Sequence, residues 1–441
     1  MRGRRLLALA LALAPAVARG NGRPPATTSV HFKPGDAQAL YVGVTFGLLA
    51  SPDGCRYYWI CEDNIGIGGE FDPVYALTPA GTILATTFHG LRVSRDGGCS
   101  FSTATAQLPP SDPGNISALY LVSMAVGPSG DVWVGTSETG SANHVFRSTD
   151  DAATFAARGA LPATNWFTSI QVAPQDGSRV YVTGFQVSGT AADGGTMPPS
   201  AHLYRSDDTG ATWTELALAG VQLASSPGVI ANAVGATKDV VFVTSQGANP
   251  PSGDRLYRST DAGVTLAEVL ATTDPIRAVV VGDAQTVYVA TQLGGAFASS
   301  DGGATFHALA NPPQLACLGR RGDGALFGCG ANGDPDHEAL ARSTDAATWT
   351  RALQLQYITG PLQCPVGTAE HDICDQQLWR SLAQQLGVVA ATCGGGPDGV
   401  ADAPPVDGPA KKSRGCCDAG GGPTAGWAAL VVLIVARRRR R

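Results

Sequence analysis

Two aspartates in this chain stand where acid/base chemistry would want them. Asp72 lies in GEFDP (residues 69–73) and Asp274 in TDPIR (residues 273–277), each just ahead of a strand-like apolar run. Two carboxylates facing one another across a cleft can divide the work of glycosidic cleavage between an acid and a base or nucleophile, provided their separation suits the route. Neighbouring segments carry groups suited to holding a ligand: Glu70, Asn165 and Arg277 for polar contacts, and Trp166 and Phe167 as ring platforms for sugars. Proline follows both aspartates, so a turn role competes with a catalytic one. Trp166, at the start of a strand, reads equally as a core aromatic.

Other chemistry is missing. The sequence holds no Walker loop, Rossmann glycine fingerprint, HExxH or Gly-x-Ser-x-Gly. EHD (370–372) reads as a solvated helix start, and NGDPDHE (332–338) has acids without the full calcium-loop pattern. Paired CxxC or Cys/His spacing for zinc is absent, so no metal and no cofactor are expected. With 15% charged residues and a net charge of -6, the chain has no basic face for nucleic acid.

The elements that would position these groups come from a repeat. Seven short segments share a Ser-x-Asp-x-Gly-x-Thr-aromatic pattern: SPDGCRYY, SRDGGCSF, STDDAATF, SDDTGATW, STDAGVTL, SSDGGATF and STDAATW. Their aspartates are Asp53, Asp96, Asp150, Asp208, Asp261, Asp301 and Asp345. The spacing, 40 to 58 residues, matches one four-stranded propeller blade with loops of varying length. Before each octad run an apolar strand, a Pro/Asp/Gly turn and a second Val- and Tyr-rich strand, as in WFTSIQVAPQDGSRVYVTG (166–184). A third strand such as HLYRS or RLYRS leads into the octad, and the fourth begins at Thr-aromatic. The expected fold is all-β: a seven-bladed propeller of four-stranded blades over residues 28–355.

These octads resemble the Asp-box (BNR) repeats of sialidases, sortilin-type receptors, xyloglucan-cleaving hydrolases and photosystem assembly factors. The resemblance implies that the boxes sit at the blade periphery, away from the ligand-binding funnel. Physically, each Asp can accept loop N–H groups, Gly can supply a φ > 0 position, and the aromatic can pack between blades. The seven box aspartates are therefore expected to be structural. A sialidase would need three converging arginines and an Arg-Ile-Pro-like motif, whereas the first repeat opens SVHFKPGDAQALYVGV with no Arg. Many other arginines sit in YRS, FRS or ARS just before a box, where repetition argues for structural pairing. Xyloglucan-type hydrolases carry two propellers, and this chain has room for one.

The ends point to export. Residues 1–18 have a basic start, an apolar run and a small-x-small close, the order of a signal peptide. Residues 416–441 carry Cys416-Cys417, a glycine-rich spacer, a short apolar run and five arginines. The 18 residues from Ala419 to Ala436 would reach roughly 27 Å as a helix, barely a bilayer core. This arrangement resembles myxobacterial C-terminal sorting tails, which implies processing near Cys416 or Cys417 by a protease and a membrane contact through the tail. Residues 394–415 read as a disordered stalk, and 356–393 as a Cys-containing cap with one helix, 369–386, between Thr368 and Gly387.

Ten cysteines in an exported chain favour disulfides. Cys55 and Cys61 are close enough for a local bridge, Cys317 and Cys329 flank a hairpin, and Cys364, Cys374 and Cys393 are placed to staple the cap to itself or to the last blade; the connectivity stays open. The expected function is a surface-anchored, non-catalytic propeller that binds an extracellular polysaccharide or an envelope protein. The alternative is an exported glycoside hydrolase or lyase using funnel carboxylates.

Overall fold

The computed structural model describes residues 23–69, 71–186, 189–190, 196–223, 228–247, 253–293, 295–389, 392–393 and 401–402. The signal peptide, Glu70 and the tail with Cys416 and Cys417 lie outside the described residues, as does the linker apart from Ala401 and Asp402.

Seven four-stranded antiparallel sheets succeed one another along the chain, over residues 27–61, 75–103, 121–157, 166–216, 229–271, 276–308 and 318–353. Each is made of strands consecutive in sequence apart from a two-stranded excursion in the fourth, and the innermost strand of each touches the innermost strand of the next. The cycle closes where Thr27–Phe32 meets Leu318–Arg320, so the chain is a seven-bladed propeller. Four of the second strands, ILATT (83–87), VWVGT (132–136), VFVTS (241–245) and LFGC (326–329), are buried along their whole length. They read as continuous apolar runs because neighbouring blades cover both faces, the pattern of any strand buried on two sides.

The octads form the turns between third and fourth strands. In SDDTGATW, Ser206 Oγ donates to Asp208 Oδ1 at 2.8 Å and accepts the Gly210 N–H at 2.7 Å. Thr212 donates its N–H to Asp208 Oδ1 at 2.8 Å and its hydroxyl to Oδ2 at 2.6 Å. The same bonds recur around Asp150, Asp261 and Asp301, and Ser100 stands in for the Thr around Asp96. Asp345, in the copy one residue short, accepts the N–H groups of Ala347 and Thr348; Asp53 accepts those of Cys55 and Arg56. After Asp96, Asp150, Asp208, Asp261 and Asp301 the next two residues are left-handed, as at Thr209 (φ 56°) and Gly210 (φ 76°). The second also presses on the preceding blade: a Cβ on Gly303 would lie 2.5 Å from the Phe242 ring. Glycine at this position therefore answers two demands, backbone handedness and close approach.

Arginines tie blade to blade. Arg205 Nη1 donates to the Ala262 carbonyl of the next octad at 2.9 Å, and Arg158 Nε to that of Thr209 at 3.0 Å. Arg179 pairs with Asp207 of its own blade and Asp239 of the next.

The ring is locked by the segment after blade 7. Gly360–Pro361 adds a parallel strand to the outer strand of blade 1, Tyr58–Cys61. Two disulfides then reach back, Cys61–Cys374 into blade 1 and Cys99–Cys364 into blade 2, with separations of 313 and 265 residues. The local Cys55–Cys61 bridge expected from spacing is thus replaced: Cys61 is bonded to Cys374, and Cys55 takes part in a separate disulfide. Cys317–Cys329 staples its hairpin as expected. Cys364 and Cys374 tie the cap to the first two blades, and the last blade is reached by packing instead. Leu378, Trp379, Leu382 and Leu386 lie against a core shared by blades 7 and 1, with Trp379 5.9 Å from Trp59.

The cap helix has two halves, a π-helical Glu370–Leu378 and an α-helical Trp379–Leu386. Thr368 Oγ1 accepts the His371 N–H at 3.3 Å, and Gly387 ends the helix at φ 64°. Glu370 faces inward with no exposed surface, accepting Asn64 Nδ2 at 2.8 Å and the Cys61 N–H at 3.3 Å. Burial pushes its carboxyl up to about 8. Beyond the helix, Ala401–Asp402 pairs with Thr392–Cys393, so two residues of the expected stalk form a strand.

Candidate functional site on the loop face

The octads and the first hairpin turns occupy one face of the ring. The opposite face carries the loops between second and third strands and those leading into each innermost strand, free of the repeat's structural demands. Three rings meet there. Phe88 sits at the tip of a tight hairpin in which Thr87 Oγ1 donates to the Gly90 carbonyl at 2.8 Å and accepts the His89 N–H at 2.9 Å. Gly90 is left-handed, φ 87°, and a Cβ there would lie 2.7 Å from the Ser117 carbonyl oxygen. Phe71 approaches from the loop into blade 2, 4.4 Å from Phe88 between centroids, and Tyr120 from the loop into blade 3, 4.5 Å from Phe88. All three are half-buried. Glu138 Oε1 accepts the Tyr120 N–H at 2.6 Å and fixes that loop.

Trp166 opens the innermost strand of blade 4, half-buried, with its ring 5.4 Å from that of cross-strand Phe185. Strand alternation sends its neighbours inward. Phe167 is fully buried, and so is Asn165, whose Nδ2 donates to Tyr204 Oη at 2.7 Å.

The polar candidates are dispersed. Asp72 is ion-paired with Arg23, which also holds Glu62 at 3.0 Å and the Thr45 carbonyl at 2.8 Å. Asp274 accepts the Thr272 hydroxyl through its backbone carbonyl at 2.7 Å, and its carboxylate makes no hydrogen bond among the described residues. Arg277 is exposed and donates to Gln292 Oε1. Beside it, nearly buried Asp254 accepts the N–H groups of Gly247 and Ile276 at 2.9 and 2.8 Å; burial nevertheless raises its carboxyl above the ordinary range.

Sequence reasoning passed over Phe71, Phe88 and Tyr120, and weighed one acid only as part of an incomplete calcium-loop pattern. Glu338, half-buried on the loop between the second and third strands of blade 7, is raised to about 7 by burial and then by Asp336; Arg351 opposes the shift. Asp336 Oδ2 accepts the N–H groups of Ala331 and Gln314 at 2.9 and 3.0 Å. Among the described residues the one group of metal-type donors is Cys61, Glu370 and Cys374, and both sulfurs are spent in a disulfide. No described helix is long and apolar enough to cross a membrane.

These features define a seven-bladed β-propeller whose loop face carries clustered rings and separate, mostly engaged charges. No family model matches the chain. No curated protein matches it either. Among solved structures it is similar to a GH74 xyloglucanase from Xanthomonas campestris at 14% identity and TM-score 0.42, over 74% of this chain and 67% of that one. YCF48 from Cyanidioschyzon merolae aligns at 14% identity and TM-score 0.48, over 69% and 92%. YCF48 bound to a D1 peptide aligns at 16% identity and TM-score 0.36, over 54% and 69%. At these scores the fold assignment rests on the chain's own seven sheets. The disulfides mark an exported protein.

Proposed function

We propose that the chain is an exported Asp-box propeller, held at the cell surface through residues 416–441 and processed near Cys416 or Cys417, whose loop face binds an extracellular polysaccharide or an envelope protein without cleaving it. The domain plan is a signal peptide (1–18), propeller (28–355), cap (356–393), linker (394–415) and sorting tail (416–441). The observation that carries the binding role is the ring cluster Phe71, Phe88 and Tyr120, half-open to solvent on loops that the repeat does not constrain. Trp166 and Arg277 extend the surface. Partly exposed rings gathered on one face are a usual mark of recognition surfaces.

One observation favours a hydrolase instead. Glu338, raised to about 7, has the protonation a general acid needs near neutrality, and Asp274 shares its face. Asp72, the other acid of that reading, is held in an ion pair with Arg23.

The test is a bacterial-polysaccharide array read for binding, with reducing-end release followed on the same polymers. Binding without release, weakened by Trp166→Ala and Phe88→Ala, supports recognition. Release abolished by Asp274→Ala or Glu338→Gln replaces it with hydrolysis.

A further inference from the structure

On the octad face, away from the loop-face rings, the seam between blades 1 and 2 opens into a groove of about 340 Å³. Tyr41 and Tyr58 line it from blade 1, together with Lys33 and Asp36 of the first hairpin turn and Leu362 and Gln363 of the returning chain. The volume sits at the small end of the range for small-molecule sites, about 300–1,000 Å³.

Its chemistry is specific. Asp36 Oδ1 is taken by the N–H groups of Gln38 and Ala39 at 2.9 and 3.0 Å, which keep the carboxylate ionised, while Oδ2 makes no hydrogen bond among the described residues. Lys33 lies near enough to favour that ionised form yet makes no direct ion pair among the described residues, so its ammonium keeps donors available. Gln363 Nε2 donates to the Pro361 carbonyl at 3.2 Å and leaves its amide oxygen as an acceptor. Acceptor, cationic donor and amide thus share the lining with two phenol rings, and the charges of Lys33 and Asp36 cancel. A phosphate or carboxylate would meet Asp36, and an apolar side chain would strand the polar groups. A neutral sugar ring satisfies both halves, with vicinal hydroxyls on Lys33, Asp36 and Gln363 and a C–H face on tyrosine. We propose that this groove binds a neutral hexopyranose unit, a second glycan contact independent of the loop face. The groove requires the returning chain, so it exists only in the locked ring.

The experiment is saturation-transfer NMR on the full chain with methyl glycosides of glucose, galactose, mannose and N-acetylglucosamine, and with methyl glucuronoside as the anionic comparison. Transfer from at least one neutral glycoside is expected, with affinity falling at least tenfold in Tyr58→Ala and in Lys33→Met and unchanged in Trp166→Ala. Lys33 lies on a surface turn, so its variant tests the site even where Tyr58→Ala fails to fold. Transfer from none of the neutral glycosides, from glucuronoside alone, or transfer lost only in Trp166→Ala overturns the proposal. The last outcome leaves the loop-face reading standing, whereas transfer lost in Lys33→Met and kept in Trp166→Ala supports the groove.

Discussion

Cys61 and Cys374 are bonded to one another across 313 positions of sequence, joining the outer strand of blade 1 to the helix after blade 7. Cross-linking a long loop removes more disorder from the unfolded chain than cross-linking a short one. Paired replacement, Cys61→Ser with Cys374→Ser, is expected to cost roughly 4 kcal/mol, because Cys99–Cys364 still closes most of that loop, against roughly 3 kcal/mol for Cys317→Ser with Cys329→Ser. Denaturant unfolding midpoints would check the order; equal losses would mean the ring stays closed without the long bridge.

The octad acids set an acid limit. Asp208 is held at about 2 by the hydroxyl and N–H of Thr212, Asp261 at about 2 by the N–H and hydroxyl of Thr265, and Asp345 at about 2 by the N–H groups of Thr348 and Ala347. An acid lowered by folding contributes stability that is complete above its unfolded value near 4 and disappears as pH falls through the folded one. Melting temperature should therefore drop steeply between pH 4 and about 2. Asp208→Asn should melt below the parent at pH 7, with the gap narrowing by pH 2.5.

Glu370 behaves in the opposite sense. Its carboxyl is raised to about 8, so folding favours the protonated form, and its contribution is full below the unfolded value near 4 and lost as pH rises through 8. Thermal melts from pH 4 to 9.5 should show the parent falling up to about pH 8 and levelling off above it, with Glu370→Gln staying flatter. Parallel curves would place the alkaline loss elsewhere.

Backbone handedness gives a paired test in the octads. Ala262 is left-handed at φ 62°, a conformation costing an L side chain roughly 1–2 kcal/mol, so Ala262→Gly should stabilise by about 1 kcal/mol. Gly303→Ala adds both the handedness cost and a 2.5 Å approach to the Phe242 ring, and should destabilise by roughly 2 kcal/mol or more. Calorimetric unfolding of the two variants would show shifts of opposite sign.

The propeller was legible because each octad is local: a Ser, an Asp, a Gly and a Thr within eight residues make the turn with bonds among themselves. The lock was not, since nothing near Cys61 names Cys374 as its partner, and proximity in sequence favoured Cys55. The ring cluster escaped for a related reason. Phe71, Phe88 and Tyr120 come from three separate loops and meet only because blades 2 and 3 stand side by side; the one local sign was Phe88 at the tip of a two-residue hairpin. Asn165 and Phe167 were drawn in with Trp166 by adjacency, although alternation along a strand turns immediate neighbours to the other side.

Each blade is completed from its own stretch of sequence, whereas the lock is written after the seventh. Chains leave the ribosome and the export channel in order, so every blade can assemble before the residues that hold the ring shut have arrived. Maturation then has a definite last act, the return of Gly360–Pro361 and the oxidation of two pairs of thiols outside the cytosol. A copy kept in a reducing compartment would carry all seven blades and none of the bolts.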